Sequence, residues 1–259
     1  MGRLTLTPGK PAISRGPLKW QLAQVVEIAK QTQRVSSLLL DVPAWPGHQA
    51  GQHLDVRLTA EDGYQAQRSY SIASAPGAGH VEMTVELIAD GEVSPYLVGE
   101  VVVGDRFEVR GPIGGFFVWD PDAATQPLLL IGAGSGVVPL MAMLRSRRER
   151  GSRVPARLLY SSRSFEDIIF REELESIAAA KDGVEVRHTL TRAQPPGWSG
   201  YARRIDRAML EEVCWPPGEG AGVYVCGPTS FVEVAAQALV DIGYPPRSIK
   251  TERFGPTGG

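Results

Sequence analysis

Hydrophobic and polar residues alternate along the first half of the chain, and the pattern changes in the second half. Between about residues 19 and 118, short apolar segments are separated by turn sequences such as Asp62-Gly63 and Pro76-Gly77. Within Val81–Leu87 every odd position is apolar, which is the period of a half-buried strand. This half therefore predicts an antiparallel sheet or barrel. The strands it predicts are Val35–Val42, Gln52–Leu58, His80–Leu87 and Arg106–Arg110.

In the second half, continuous apolar runs alternate with helical segments. The run Leu128–Ile131 is followed by a helical stretch to about Arg150, and Glu166–Ala180 carries apolar residues on one helical face. Strands that alternate with helices need crossover connections, so this half predicts an α/β domain with a parallel sheet. The predicted divisions are an N-terminal arm at 1–18, a β domain at 19–120 and an α/β domain at 121–259.

Composition and charge restrict the class of protein. The chain has 259 residues, which is typical of two domains at about 100–200 residues each. With 27 Lys and Arg against 29 Asp and Glu, the formal net charge of −2 argues against a general nucleic-acid-binding protein. The two cysteines, Cys214 and Cys226, are too few for the four thiolates of a plant-type iron–sulfur cluster. They also argue against a disulfide scaffold.

Three further patterns concern the location of the protein and its metal content. No apolar run reaches about 18 residues, so no membrane span is predicted. The N-terminal segment lacks the apolar stretch of a secretory signal, and a cytoplasmic location is predicted. The histidines show no pair at metal-ligand spacing, so no metal site is predicted.

A glycine-rich loop lies at the first strand-to-helix junction of the α/β half. Gly132, Gly134 and Gly136 let backbone N–H groups approach a diphosphate, and the following helix N-terminus adds partial positive charge. The usual dinucleotide pattern would place its third glycine where Val137 stands, so the spacing here is different. The alternative is a turn whose glycines only pack the helix on the sheet.

The residues after the next two strands indicate which nucleotide is bound. An ordinary NAD site has an acidic residue about 20 residues past the glycines. Here the strands end in Ser161-Ser162-Arg163 and Thr191-Arg192, and Arg203-Arg204 follows. A guanidinium offers a permanently charged fork that suits a 2′-phosphate, so the pattern favours NADPH over NADH. The alternative is that each arginine is an ordinary solvated side chain.

One short segment of the β half has a clear chemical logic. In Gln67–Ser74, Arg68 can hold a phosphate, and Tyr70, two residues on, points to the same side and can stack on a flat ring. Ser71 can place a hydroxyl beside a ring nitrogen. Together with other segments in order, it resembles the ferredoxin–NADP reductase family. The segments are Arg68–Ser74, Gly91–Ser94, Gly111–Phe116, Gly132–Pro139, Cys226–Pro228 and Glu252–Phe254.

The resemblance implies an antiparallel flavin-binding β-barrel followed by a parallel-sheet NADP-binding domain. It implies that FAD takes a hydride from NADPH and then gives single electrons to a separate acceptor. Ferredoxin, flavodoxin, an oxygenase component, a molybdenum or haem protein and a small molecule all stay open as that acceptor. Three alternatives stay open: a non-catalytic electron-relay subunit, an NADH-using reductase of the same fold, and a flavin-free NADP dehydrogenase. FMN in place of FAD also stays open.

The resemblance also assigns roles on the flavin side. Arg68 would contact the FAD diphosphate, Tyr70 would stack on the isoalloxazine, and Ser71 would hydrogen-bond near N5. Phe254 would take the place of the C-terminal aromatic residue that covers the flavin, although five residues follow it in this chain. The other implied flavin contacts are Ser69, Val85, Glu86, Glu92, Val93 and Ser94, with the backbone of the last three and the Ser94 hydroxyl on the diphosphate.

On the nucleotide side, the implied catalytic residues are Ser71, Cys226 and Glu252, with Cys226 beside the nicotinamide. Glu252 is either a proton relay or charge near the nicotinamide, or an ordinary strand carboxylate. The implied nucleotide contacts are Gly132, Gly134, Gly136 and Val137 on the diphosphate, Arg163, Thr191, Arg192 and Arg204 on the 2′-phosphate, and Cys226, Gly227 and Pro228 at the nicotinamide.

A basic run ends the helix that follows the glycine loop. Its five arginines lie between Arg145 and Arg153. They favour stabilisation of the negative end of the helix dipole. The alternative is a docking patch for an acidic partner such as ferredoxin or flavodoxin.

Overall fold

The computed structural model describes residues 18–255, so all but the last residue of the predicted arm, and residues 256–259, lie outside the described residues. The first half forms a six-stranded antiparallel sheet in the order β4-β3-β6-β1-β2-β5. A bridge between Ile72 and Met83 joins its two outer strands, which closes the sheet into a barrel. Its elements are β1 (Gln21–Thr32), β2 (Val35–Asp41), β3 (His53–Thr59), β4 (Gln65–Ser71), β5 (Val81–Glu86), α1 (Ser94–Gly99) and β6 (Arg106–Ile113).

Alternation of side chains explains most of the barrel strands. In β5, Val81, Met83 and Val85 are buried in the barrel core, as the sequence pattern predicts. The 12-residue strand β1 was not predicted individually. Its pairing with β2 shifts register twice, between Val25 and Glu27 and between Lys30 and Thr32. Each shift interrupts the strict two-residue period by which a strand is recognised.

The second half forms a five-stranded parallel sheet in the order β11-β10-β7-β8-β9, flanked by helices, which confirms the predicted fold class. All six residues of the central strand β7 are buried, as expected for a parallel strand covered on both faces. The elements of this second half are β7 (Leu128–Ala133), α2 (Val137–Glu149), β8 (Ala156–Ser162), α3 (Arg171–Ala179), β9 (Val184–Leu190), α4 (Arg207–Val213), β10 (Gly222–Pro228), α5 (Thr229–Asp241) and β11 (Ile249–Phe254).

Within residues 18–255, none of the helices has the length and apolar character needed to span a membrane.

The helix predicted at 166–180 begins only at Arg171. Phe170, the residue before it, has a φ of 57°, a left-handed conformation that ends the preceding turn and starts the helix anew. Ile168 and Ile169 are buried from that turn and not from a helical face. The predicted apolar helical face is therefore correct for Leu174 and Ile177, which are buried on α3, and wrong for Ile168 and Ile169, which precede the helix.

The barrel and the α/β half share one apolar core. Ala50 and Ala73 of the barrel are fully buried in the same cluster as helix α2. The segment that joins the halves is fixed at Val118, whose carbonyl accepts hydrogen bonds from the Tyr224 hydroxyl at 2.8 Å and from the Lys250 ammonium at 2.9 Å. The two halves are thus packed together, and the exact domain boundary near residue 120 stays a prediction.

The basic run of α2 is largely internal. The side chains of Arg145 and Arg147 are only 13% and 2% exposed. Arg147 donates to the Asp182 carboxylate at 2.9 Å and to the carbonyls of Asp182 and Val154 at 2.8 and 2.7 Å. A docking patch that includes these two arginines is therefore wrong, because neither guanidinium faces solvent.

Candidate functional site

The carboxyl ends of the parallel strands open into a cavity of about 430 Å³. In a parallel sheet these ends all meet at one edge, which is where open α/β sheets bind ligands. Residues 32–35 of the β1–β2 hairpin and Glu86 of β5 form the opposite wall, so the cavity lies between the two halves. The lining residues that bear on function are Arg34, Glu86, Gly134, Arg163, Asp167, Thr191, Arg192, Arg204, Pro228 and Phe254.

The three arginines that the sequence singles out meet in this cavity. Arg163, Arg192 and Arg204 all line it, and none of them forms an ion pair with a carboxylate within residues 18–255. Most other arginines of the described chain are paired. Three guanidinium groups without carboxylate partners, facing one cavity, form a site with the chemistry that binds a phosphate.

Backbone contacts fix the strand ends that carry these arginines. The Thr191 N–H and hydroxyl both donate to the Ser162 carbonyl, at 3.0 and 3.2 Å. The Arg192 N–H donates to the Arg163 carbonyl at 2.8 Å. The ends of β8 and β9 are therefore held side by side, and Thr191 contributes to this framework as well as to the cavity lining.

The glycines of the loop after β7 have different roles. Gly134 lines the cavity with a φ of +54°, and the nearest atom to an added Cβ would be Glu86 Oε2 at 3.8 Å. At Gly136 an added Cβ would lie 2.2 Å from the Cys226 carbonyl oxygen, so only glycine allows the loop to pack on β10. Gly132 is buried under helix α2, where an added Cβ would lie 3.0 Å from Leu140 Cδ1, and Val137, the first residue of that helix, is fully buried. The packing interpretation thus describes Gly132 and Gly136, and Gly134 is the glycine that faces the cavity.

The three predicted catalytic residues come together where the barrel meets the sheet. Cys226 and Glu252 are register neighbours on β10 and β11. The Ser71 hydroxyl, at the end of β4, donates to Glu252 Oε1 at 3.3 Å. Residues from sequence positions almost 200 apart therefore share one small, half-buried polar site.

Burial sets the protonation states in this site. Burial raises the pKa of the Glu252 carboxyl to about 7, although the hydrogen bond from Ser71 opposes the shift. Burial, and then the Glu252 charge, raise the pKa of the Cys226 thiol well above its usual value. Cys226 is therefore a neutral thiol at physiological pH and is unsuited to act as a nucleophile.

The walls beside this site come from the ends of β10 and β11. Pro228 and Phe254 are register neighbours and both line the cavity. Phe254 is half-buried against the core of the α/β half. At Gly227 an added Cβ would approach Phe231 Cδ1 to 2.9 Å, so its role here is close packing. Residues 256–259 of the tail after Phe254 lie outside the described part of the chain.

Arg68 and Tyr70 lie on one side of β4, as the two-residue period requires. The Arg68 guanidinium is 52% exposed and donates to Glu92 Oε2 at 2.6 Å. Beside it, the backbone N–H of the exposed Glu92 donates no hydrogen bond within the described residues, whereas the predicted contact Val93 is fully buried in the barrel core. A guanidinium beside a free N–H is a donor set for a diphosphate, so Arg68 and Glu92 fit the phosphates of FAD.

Four other predicted flavin contacts are placed differently. The Ser69 hydroxyl is on the other face of β4 and donates to Asp55 Oδ1 at 2.6 Å. The Ser94 hydroxyl is buried and accepts from the Ile88 N–H at 3.0 Å, so it is engaged inside the barrel. Val85 is fully buried in the barrel core. Glu86 lines the nucleotide cavity, and its carboxylate accepts a hydrogen bond from Ser135 at 2.8 Å.

Sequence reasoning missed Arg34, which lines the cavity, and Ser135, which contacts a residue that does. Ser135 lies between two glycines of the loop and donates a hydrogen bond to Glu86 of β5, which lines the cavity. A polar residue between glycines was the available signal for it. Arg34 lies in the turn between β1 and β2 and lines the cavity from the barrel side. No local pattern marks Arg34, because the turn is distant in sequence from every nucleotide-binding segment.

Known proteins resemble both halves of this structure. Residues 19–118 match the family of oxidoreductase FAD-binding domains, and residues 130–237 match the family of oxidoreductase NAD-binding domains. The ferredoxin–NADP reductase B of Sorangium cellulosum is 32% identical over 212 residues, which cover 80% of this chain and 85% of that protein. The glycine betaine monooxygenase reductase subunit of Chromohalobacter salexigens is 31% identical over 237 residues, 90% of this chain. That match spans only 63% of the reductase subunit's own length.

A solved structure shares the arrangement of the two halves. The FAD/NAD-binding domain of nitric oxide dioxygenase from Vibrio cholerae is 25% identical, with a TM-score of 0.81 over 91% of this chain and 99% of that one. A barrel matched to FAD binding, joined to a sheet matched to NAD binding, defines the class of two-domain flavin-dependent oxidoreductases. Within that class, the chain belongs to the ferredoxin–NADP reductase family.

Proposed function

We propose that this chain is a reductase that takes a hydride from NADPH through bound FAD and passes single electrons to a separate acceptor protein. The observation that carries the proposal is the convergence of Arg163, Arg192 and Arg204 on a cavity that is also lined by Pro228 and Phe254, two residues beyond Cys226 and Glu252 on β10 and β11. When bound, FAD supplies the chemistry that accepts an electron pair and releases electrons one at a time. The protein residues bind, orient and manage protons around it.

The flavin would be held by the barrel. Arg68 and the N–H of Glu92 would hold its diphosphate, with the phosphates replacing the Glu92 carboxylate as partner of Arg68. The half-buried ring of Tyr70, packed on the barrel core, offers a flat apolar face on the same side of β4. The nucleotide cavity between the two halves would hold NADPH.

Ser71 and Glu252 would control which way a proton is offered. With Glu252 ionised, the Ser71 hydroxyl donates to the carboxylate, as it does in the structure, and can only accept from other groups. With Glu252 protonated, the carboxyl can donate to Ser71 Oγ, and the hydroxyl proton of Ser71 becomes free to hydrogen-bond to an acceptor on its other side. Protonation of Glu252 thus converts Ser71 into a donor, and the neutral Cys226 adds no competing charge.

We expect the rate of flavin reduction by NADPH to fall as the pH rises through about 7. The pKa of Glu252 is about 7, so the carboxyl is protonated below that pH and ionised above it, and only the protonated form frees the Ser71 hydroxyl. Loss of one hydrogen bond to the reacting group predicts a decrease of about tenfold. Stopped-flow measurement of flavin bleaching between pH 5.5 and 8.5 tests this expectation.

Glu252→Gln is the matched control for that profile. Glutamine keeps the size and the hydrogen-bonding reach of the side chain but does not titrate. The variant should bind FAD normally and show a flat rate between pH 5.5 and 8.5. An inflection near pH 7 that persists in the glutamine variant would assign the pH dependence to another group.

The acceptor is proposed to be a separate protein. The Chromohalobacter relative is named as a reductase subunit of a monooxygenase, and the Sorangium relative is named as a ferredoxin–NADP reductase. Each name pairs a reductase with another redox protein, a monooxygenase in one case and ferredoxin in the other. We therefore propose ferredoxin, flavodoxin or an oxygenase component as the partner class. The relay-subunit alternative differs from this proposal in that such a chain would not turn over alone.

An NADH-using reductase of the same fold is the second candidate. Asp167 also lines the cavity, and an acidic residue near the ribose is the usual mark of an NAD site. Its Oδ2 atom, however, already accepts hydrogen bonds from the Ser164 N–H and hydroxyl, at 3.1 and 2.9 Å. That carboxylate is committed to its own turn, and the three arginines outnumber it, so NADPH is the better supported substrate.

Anaerobic titration of the purified protein distinguishes these functions. NADPH at low concentration should bleach the flavin absorbance band, whereas NADH should be needed in large excess. Equal bleaching by both would remove the selectivity for NADPH and keep the reductase. A flavin band that neither nucleotide bleaches would support the relay subunit. Absence of a band after addition of FAD would overturn the flavin assignment.

A further inference from the structure

We propose that Arg34, on the flavin-binding barrel, binds the diphosphate of the nicotinamide nucleotide, so that this substrate is held by both halves of the protein. Arg34 lies in the turn between β1 and β2 and lines the same cavity as Arg163, Arg192 and Arg204. It comes from the opposite wall of that cavity. The inference deepens the proposed function, on which it rests for the identity of the ligand.

The turn that carries Arg34 is held rigidly against β5. The Leu87 N–H donates to the Arg34 carbonyl at 2.8 Å, and Val35 pairs with Glu86 in the antiparallel register. One guanidinium nitrogen of Arg34 donates to the Leu87 carbonyl at 2.7 Å. The side chain is therefore anchored at one nitrogen, and its other donors stay available to a ligand.

The charge on Arg34 has no acidic partner. None of the ion pairs within residues 18–255 involves Arg34. It shares this property with the three arginines across the cavity. An anchored guanidinium without a carboxylate partner, at the wall of a cavity built for a phosphorylated ligand, is placed to bind an anion.

The position of Arg34 selects the diphosphate and not the 2′-phosphate. Its anchor, Leu87, directly follows Glu86, and the Glu86 carboxylate accepts a hydrogen bond from Ser135 at 2.8 Å. Ser135 follows Gly134, the loop glycine that faces the cavity. Arg34 thus lies by the glycine loop, whereas the other three arginines lie at or beyond the ends of β8 and β9.

Glu86 places a carboxylate beside the glycine loop, where a positive charge would favour binding of a diphosphate. Its carboxylate is within hydrogen-bond distance of the loop that would hold the diphosphate, so a bound nucleotide would meet a like charge there. Arg34, in the neighbouring hairpin, forms no ion pair with Glu86 but brings a positive charge to the same wall of the cavity. Without it, the barrel side of the cavity would repel the ligand that the sheet side attracts.

The test is calorimetric binding of two nucleotide fragments to the holoprotein. Adenosine 5′-diphosphate carries the diphosphate, and adenosine 2′-monophosphate carries only the phosphate that distinguishes NADPH. Arg34→Ala should weaken binding of the diphosphate about 10-fold and leave binding of the 2′-monophosphate unchanged. In steady-state turnover with a one-electron dye, KM should rise by a similar factor for NADPH and for NADH, with kcat unchanged.

Two variants keep this test specific. Arg34→Gln retains a donor for the Leu87 carbonyl without the charge and should behave like the alanine variant. Arg153→Ala removes an exposed arginine outside the cavity and should change neither fragment. Unchanged binding of the diphosphate in Arg34→Ala, or a loss confined to the 2′-monophosphate, would overturn the proposal. If the wild-type protein does not bind the 2′-monophosphate, the selectivity for NADPH is refuted. The role of Arg34 is then decided by binding of the diphosphate alone.

Discussion

Replacement of both Arg192 and Arg204 by alanine is expected to raise the KM for NADPH about 100-fold and to leave the KM for NADH within about twofold. Both guanidinium groups line the cavity without an acidic partner among the described residues, and only NADPH carries the 2′-phosphate that they would bind. A 100-fold loss corresponds to about 2.7 kcal/mol, which is reasonable for two charge-assisted contacts at an open site. Steady-state kinetics with both nucleotides and a one-electron dye measure the effect.

Arg247→Ala supplies the control for this change. Arg247 is an exposed arginine that does not line the cavity, so its removal lowers the positive charge of the protein without touching the proposed site. Its variant should show wild-type KM values at the same ionic strength. A double variant that loses NADPH and NADH equally would show that these arginines act on a feature common to both nucleotides.

The second large effect is expected at Arg145, which joins the two halves. Its guanidinium donates to the Ala73 carbonyl at 2.9 Å and to Glu82 at 2.8 Å on the barrel. It forms a bidentate pair with Glu173 in the first turn of helix α3. It also lies 4.9 Å from the ring centroid of Phe170. These contacts hold helix α2, which begins at the glycine loop, against the residues that follow Ser71.

Arg145→Met should lower the free energy of unfolding by about 3 kcal/mol, because the largely buried Glu82 loses its counter-ion and Glu173 keeps only the more distant Arg148, at 3.7 Å. At about 2–4 °C per kcal/mol, the thermal midpoint should fall by about 10 °C. The rate of flavin reduction should also decrease, since the cavity and the Ser71–Glu252 site would no longer be held in register. Differential scanning calorimetry and stopped-flow reduction measure the two effects.

A triple variant separates the effect of the lost Arg145 contacts from the effect of carboxylates left without a counter-ion. Arg145→Met combined with Glu82→Gln and Glu173→Gln leaves no carboxylate behind and should recover a substantial part of the lost stability. The reduction rate should stay low, because the hydrogen bond to the Ala73 carbonyl is still missing. A thermal midpoint unchanged in the single variant would show that other contacts alone join the halves.

Features encoded in short stretches of chain were predictable. The pair Arg68 and Tyr70 follows from the two-residue period of a strand, and Arg163 and Arg192 follow from their places at the ends of parallel strands. The fold makes such residues meet without further information, because every parallel strand ends at the same edge of the sheet. The family resemblance and the fold class were confirmed for the same reason: both depend on the order of local motifs.

Features that depend on contact between distant segments were not predictable. Arg145 and Arg147 look like members of a solvated basic run, and only the packing of α2 against the barrel and Asp182 shows that they are internal. No sequence motif marks Arg34, because it reaches the cavity only through the contact between the β1–β2 hairpin and the α/β half. Phe170 adopts a left-handed conformation that its side chain disfavours, and tertiary contacts hold it there.

The anchored carbonyl of Val118 has a consequence for how the protein can be divided. Tyr224 and Lys250 both donate to that one atom, and Trp119, the next residue, is buried in the core of the α/β half. Scission in the stretch after Trp119 would leave one fragment with an uncovered tryptophan and the other with an unfilled hollow. Each half would then expose apolar surface that the other half covers, so we expect the two halves to fold stably only together.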